Sequence, residues 1–105
     1  KRRVLQPSLL ISLAAALKTS CELFIQSDSL AVIEPMVYLI NKSNCFNRIK
    51  GSYGDYWLDQ SPFPLQTERE LYAINKGLTI YRSLYLRNDN NLPTLKKLEE
   101  DFYSI

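Results

Sequence analysis

Pro62 and Pro64 bracket Phe63, and three residues past the second proline stands Thr67-Glu68-Arg69-Glu70. Proline fixes its own φ and pushes the residue before it towards extended conformations, so this segment must reach Thr67 as a stiff arm. Thr67 then suits the start of a helix, with Glu70 three residues on to complete a capping box. Gly77 is a natural residue for ending that helix in a left-handed turn, and the β-rich Leu78-Thr79-Ile80-Tyr81 follows at once. A stiff arm, a short helix and a strand over residues 78–86 are therefore expected in immediate succession.

With 105 residues and 46% hydrophobic content, the chain has material for one globular unit at most. Thirteen basic residues against 11 acidic ones leave a net charge of +2, which alone does not announce a nucleic-acid binder. Distribution says more, because Lys1, Arg2, Arg3 and Lys18 are the only charges ahead of Glu22. That basic opening suits either phosphate contact or a solvated end. The chain has no histidine, which excludes histidine bases, triads and metal ligands within it. Cys21 and Cys45 have neither metal-site spacing nor a secreted disulfide pattern, and reduced thiols in a cytoplasmic protein are expected. No apolar run approaches the roughly 20 residues that span a bilayer. The chain begins within a basic run at Lys1, and we read it as a piece of a longer protein.

Pro7 fits the first turn of a helix over residues 7–18, with Leu9, Leu10, Leu13, Ala16 and Leu17 on its apolar face. Glu22 to Ser27 then reads as a buried parallel strand. Asp28 follows at the strand's carboxyl end, the edge at which open α/β sheets bind ligands. A carboxylate there can accept hydrogen bonds from two adjacent N–H donors of a ligand, or it can merely cap the next helix. Residues 30–42 form that helix, with Leu30, Ile33, Val37 and Ile40 on one face and Pro35 expected to kink or restart it. Residues 46–50 are ambiguous. Tyr53, Tyr56, Trp57 and Phe63 crowd one loop, where aromatics either cover a small core or stack on splayed bases. Arg87 to Pro93 is a polar breaker, and Leu95, Leu98, Phe102 and Ile105 define a last amphipathic helix suited to packing.

Pro-Phe-Pro, Thr67-Glu68-Arg69-Glu70 and Gly77-Leu78-x-Ile80-Tyr81-Arg82, in this order, resemble the C-terminal end of bacterial tRNA (guanine-N7-)-methyltransferases. Arg2-Arg3-Val4 with Gln6-Pro7, and Glu22 through Asp28, are similar to earlier blocks of the same family, so the resemblance covers about residues 1–87. It implies an α/β chain forming the C-terminal half of a Rossmann-like S-adenosylmethionine-dependent methyltransferase fold. Residues 88–105 would add a polar linker and a C-terminal helix.

The same resemblance implies methyl transfer from S-adenosylmethionine to N7 of a guanine in tRNA. Asp28, Thr67, Glu68, Arg69 and Glu70 would bind the substrate guanine, and Arg2 and Arg3 would contact the tRNA. The S-adenosylmethionine motif and the family's catalytic Pro-Asp-Pro-Trp would lie upstream of Lys1, so no catalytic residue and no metal site are expected here. The chain alone is expected to be inactive, and its open sheet edge to favour self-association. Thr19-Ser20-Cys21 stands where the family has Pro-Gly-Gly, and losing glycine there is expected to cost roughly 1 kcal/mol in a positive-φ turn. The alternatives are a non-catalytic RNA-binding or interaction module, and a truncated relic without activity.

Overall fold

The computed structural model describes residues 5–51 and 56–103. Along the chain run α1 (Pro7–Ala16), β1 (Glu22–Ser27), α2 (Leu30–Ser43), β2 (Phe46–Ile49), α3 (Glu68–Asn75), β3 (Tyr81–Arg87) and α4 (Leu95–Tyr103). The three strands form one sheet in the order β1-β3-β2, with β3 antiparallel to both neighbours. The result is a small mixed α/β unit in which β1 and β2 run parallel to each other across β3.

Local chemistry explains most boundaries. Pro7 opens α1, where its missing N–H costs nothing. The turn into β1 closes through a bond from the Cys21 N–H to the Lys18 carbonyl, with Ser20 at φ 76°. The left-handed region at that point is the one the missing glycine would have favoured. Asn44 ends α2 at φ 59°, a conformation asparagine tolerates. α3 ends as expected on Gly77 at φ 72°, with Leu78 N–H bonded to the Ala73 carbonyl and Gly77 N–H to that of Ile74. This is the paired-bond helix ending that glycine makes possible. Thr94 caps α4 by accepting from the Lys97 N–H at 3.1 Å.

Pleating sends alternate residues to opposite faces. Leu23, Ile25, Phe46, Tyr81 and Tyr85 share the face covered by α1, α2 and α4. Their cluster takes in Leu10 and Ala14 from α1, Ile33, Leu39 and Ile40 from α2, and Leu98 and Phe102 from α4. Tyr85 is fully buried at its centre. Burial pushes its phenol up from the ordinary tyrosine value, against the lowering pull of the Ser83 hydroxyl and the Arg48 charge.

Several expectations are corrected. The buried side of α1 is Pro7, Leu10 and Ala14, while Leu9 and Ala16 face outward. The helix packs beside α2 and α4 and so presents a rotated stripe. Pro35 neither ends nor restarts α2, which runs as a single element through it. Ile33 and Ile40 are buried as expected, but Leu30 and Leu95 are exposed. Only Ile25 of β1 is buried, and β1 pairs antiparallel to β3; no parallel partner occurs among the described residues. β2 fills the ambiguous segment, four residues being too few to declare a period. β3 starts at Tyr81 rather than at 78: residues 78–80, after the turn at Lys76 and Gly77, lie outside the strand, whose pairing with β1 begins at Tyr81.

The polar breaker after β3 is a hydrogen-bonded knot. Arg87 donates to the Ala14 carbonyl at 2.9 Å, to that of Asn88 at 2.6 Å and to that of Asn90 at 3.1 Å. Its guanidinium thereby satisfies a carbonyl near the end of α1, where positive charge is favoured. Asn88 and Asn90 side chains both donate to the Asn44 carbonyl, at 3.1 and 2.7 Å. Lys1, Arg2, Arg3, Val4, Tyr53 and Ile105, named above, lie outside the described residues.

Candidate substrate cleft

The other face of the sheet carries Phe24, Gln26, Arg82 and Leu84, and on it lie the proline arm and α3. Phe63 anchors the arm by meeting Phe24 edge to face, ring centroids 5.2 Å apart. On the opposite, helix-covered face Trp57 packs in the same manner on Tyr81 at 5.4 Å, against the edge of the core. The Arg48 guanidinium sits over Trp57 and Tyr56, 4.7 and 4.9 Å from their ring centroids. These contacts make Tyr56, Trp57 and Phe63 a cover for the sheet, the first of the two roles anticipated for the cluster.

At the carboxyl end of β1 a cleft of about 420 Å³ opens between the strand and α3. Asp28, Thr67, Arg69 and Glu70 all line it, so residues far apart in sequence meet at the edge expected for Asp28. Glu68, the remaining predicted substrate residue, is exposed in the first turn of α3 and does not line the cleft. Gln26, Ala73 and Ile80 line it as well, and sequence reasoning did not single them out.

Thr67 caps α3 as expected, its hydroxyl accepting from the Glu70 N–H at 3.0 Å. The reciprocal half of the capping box is not formed. Glu70 turns instead into the protein, where Oε2 accepts from Arg82 Nη2 at 2.8 Å and the residue is only 3% exposed. Arg82 Nη1 donates in turn to the Asp59 carbonyl at 2.7 Å. Arg82 thus joins β3, α3 and the arm's root. The available signal for Arg82 was a charge inside an otherwise apolar strand, a position that calls for a buried partner.

Asp28 does not cap α2. Ser29 occupies the N-cap position, and the Asp28 carboxylate receives Arg69 Nη2 at 2.5 Å. The pair is lopsided: the Asp28 side chain is 11% exposed and that of Arg69 68%. Arg69 also lies 5.0 Å from the Tyr72 ring centroid. Gln26 stands opposite Arg82 in the strand register, and both Gln26 Oε1 and Arg82 Nε are buried without hydrogen-bond partners. Among the described residues no group of three or more histidine, cysteine, aspartate or glutamate side chains could hold a metal ion. No helix among them is long and apolar enough to cross a membrane.

Comparison with known proteins gives this geometry a context. A family model described as "Putative methyltransferase" matches residues 1–83. The chain is 59% identical over 99 residues to the tRNA (guanine-N(7)-)-methyltransferase of Prochlorococcus marinus (strain MIT 9313), covering 94% of this chain and 42% of that protein. To the protein of the same name from Parasynechococcus marenigrum (strain WH8102) it is 52% identical over 99 residues, with the same coverage of 94% and 42%. To that from Synechococcus sp. (strain CC9902) it is 41% identical over 105 residues, covering 100% of this chain and 44% of that protein. The chain therefore spans less than half the length of these curated relatives. Matched by the family model over residues 1–83, the chain belongs to this methyltransferase family.

Proposed function

We propose that this chain is the guanine- and tRNA-binding half of a tRNA (guanine-N7-)-methyltransferase, and that the cleft between β1 and α3 receives the target base. The observation that carries this reading is the meeting of Asp28, Thr67 and Glu70 in one cleft at a sheet edge. On the same reading β1, β3 and β2 are the end of a Rossmann-like sheet. The outer edge of β1, unpaired among the described residues, is where the remaining strands add.

Guanine N7 presents a lone pair and needs no proton removed before it attacks a methyl group. The protein's task is then to hold N7 in line with that methyl. Asp28 suits the Watson–Crick edge, where the ring N–H and the amino group offer two adjacent donors. Its partner Arg69 is largely exposed, so their pair is worth at most about 1 kcal/mol and gives way readily to a better-matched ligand. Thr67 and Glu70, held by α3, fix the orientation of the base. Arg2 and Arg3 would meet tRNA phosphates.

S-adenosylmethionine would supply the methyl group when bound. The described cleft does not fit that cofactor's own site: no glycine lines it, and Gly77 ends α3 rather than opening a ligand loop. Its binding residues belong, on this reading, to the part of the protein outside this chain.

The test is methyl transfer from labelled S-adenosylmethionine to unmodified tRNA by the full-length protein, with Asp28→Ala and Glu70→Gln alongside. A hydrogen bond to a charged group contributes about 1.5–3 kcal/mol, so each variant is expected to lose roughly 10- to 100-fold in kcat/KM. The 105-residue chain alone is expected to transfer nothing. Wild-type rates in both variants would remove the cleft from the mechanism. Binding of tRNA without any transfer by the full-length protein would make this a non-catalytic RNA-binding module.

A further inference from the structure

We infer that Arg82 is a positioning residue for the base-binding cleft, acting through Glu70; the inference rests on the role proposed above for Glu70. Arg82 lies on the central strand with its side chain 9% exposed, and Glu70 faces it with its side chain 2% exposed. A carboxylate this deeply buried requires a charged, hydrogen-bonded partner. Arg82 supplies that partner with directional control. One arm of its guanidinium, Nη2, reaches Glu70 Oε2 at 2.8 Å, and the other, Nη1, reaches the Asp59 carbonyl at 2.7 Å.

Because the guanidinium is planar, fixing Nη1 on the Asp59 carbonyl fixes where Nη2 points. The Glu70 side chain is thereby held against β3 as well as by its own helix. Glu70 lines the base cleft and also the larger groove beneath the proline arm, so it forms part of the wall between them. A small rotation of this one side chain would reshape the cleft, and Arg82 prevents it. Lysine at this position would keep the charge but lose the two-armed geometry.

A double-mutant cycle on the full-length protein tests the coupling, with Arg82→Lys, Glu70→Gln and the pair assayed for kcat and for the KM of tRNA. To protect folding, all three are made in a Ser20→Gly background. If Arg82→Lys melts below the assay temperature, the Arg82→Gln/Glu70→Gln pair, which strands neither charge, is compared with Glu70→Gln alone, and a further loss in kcat beyond twofold overturns the inference. Arg82→Lys is expected to lower kcat about tenfold or more with KM within about twofold, since misorientation affects the reacting geometry more than overall tRNA affinity. The double variant is expected to be no worse than Glu70→Gln alone within about twofold, because residues acting through one another are not additive. A folded Arg82→Lys enzyme with wild-type kcat would overturn the inference while leaving Glu70 in place, as would strictly additive losses. A Glu70→Gln enzyme with wild-type kcat would instead overturn the role of Glu70 itself, and the inference about Arg82 with it.

Discussion

The two faces of the sheet are built on opposite terms. The face under α1, α2 and α4 is closed, with Leu10, Ile33, Leu39, Ile40, Tyr85 and Leu98 fully buried. The face under α3 and the proline arm is open, leaving Leu65 84% exposed and Phe63 50% exposed. Its order comes from a few directed contacts: Phe63 on Phe24, Arg82 between Glu70 and Asp59, and Arg69 on Asp28. Burial without direction builds the scaffold on one side, and polar geometry shapes the candidate site on the other. Perturbing the first face should therefore change stability and leave site geometry intact, whereas perturbing the second should do the reverse, with Arg82 and Glu70 as the point where the two terms meet.

The largest effect on stability is expected at Leu98, which is fully buried on α4. Leu98→Ala removes apolar contacts and leaves a cavity, at a cost of about 2–5 kcal/mol. Denaturant unfolding of the full-length protein measures it, and the assay at saturating tRNA and cofactor should show an unchanged kcat below the melting range. Residues 84–105 lie beyond the family-model match, yet α4 packs against both α1 and α2. A loss under about 1 kcal/mol would mean that α4 is an accessory to the closed face rather than part of it.

A smaller effect, of opposite sign, is expected at the turn between α1 and β1. Ser20 holds φ 76°, where a side chain is disfavoured by about 1–2 kcal/mol, and glycine returns part of that advantage as unfolded-state entropy. Ser20→Gly should raise stability by about 0.5–1 kcal/mol, read as an increase in melting temperature. No gain would show that the Lys18–Cys21 turn is already matched to serine. Asn44 offers the control within the same fold, because it occupies φ 59° with a residue suited to that region.

That turn also marks how far the fold could be read from residues alone. Helix starts and ends announced themselves through Pro7, Thr67 and Gly77, whose effects are local and steric. A strand after Gly77 was legible too, but its pairing with β1 on one side and β2 on the other was not. Four residues of β2 carry too little pattern, and register depends on partners elsewhere in the chain. For the candidate site, the family motif named Asp28, Thr67 and Glu70, and the fold brings all three to one cleft. The inward turn of Glu70 was not readable. A capping box and a buried ion pair compete for the same carboxylate, and only the position of Arg82 across the fold decides between them.

Arg69 gives the finest division within the open face, since it forms an ion pair of the same chemical type as that of Arg82 in a different medium. Arg82 and Glu70 are both buried, so removing either charge leaves the other stranded. Arg69 is 68% exposed, and water replaces it when it is lost. Arg69→Gln should therefore change the folding free energy by no more than about 0.5 kcal/mol. The same substitution should lower kcat/KM for tRNA several-fold, because Arg69 lines the cleft beside Asp28. Thermal melts and steady-state rates on one preparation separate the two quantities. A melting loss comparable to that of Leu98→Ala would make the Asp28–Arg69 pair a structural clasp, and the open face would then be held together by more than its aromatic and Arg82 anchors. Unchanged melting with reduced kcat/KM would place Arg69 on the substrate side of the cleft, where exposure costs the fold little and leaves the side chain free to exchange partners.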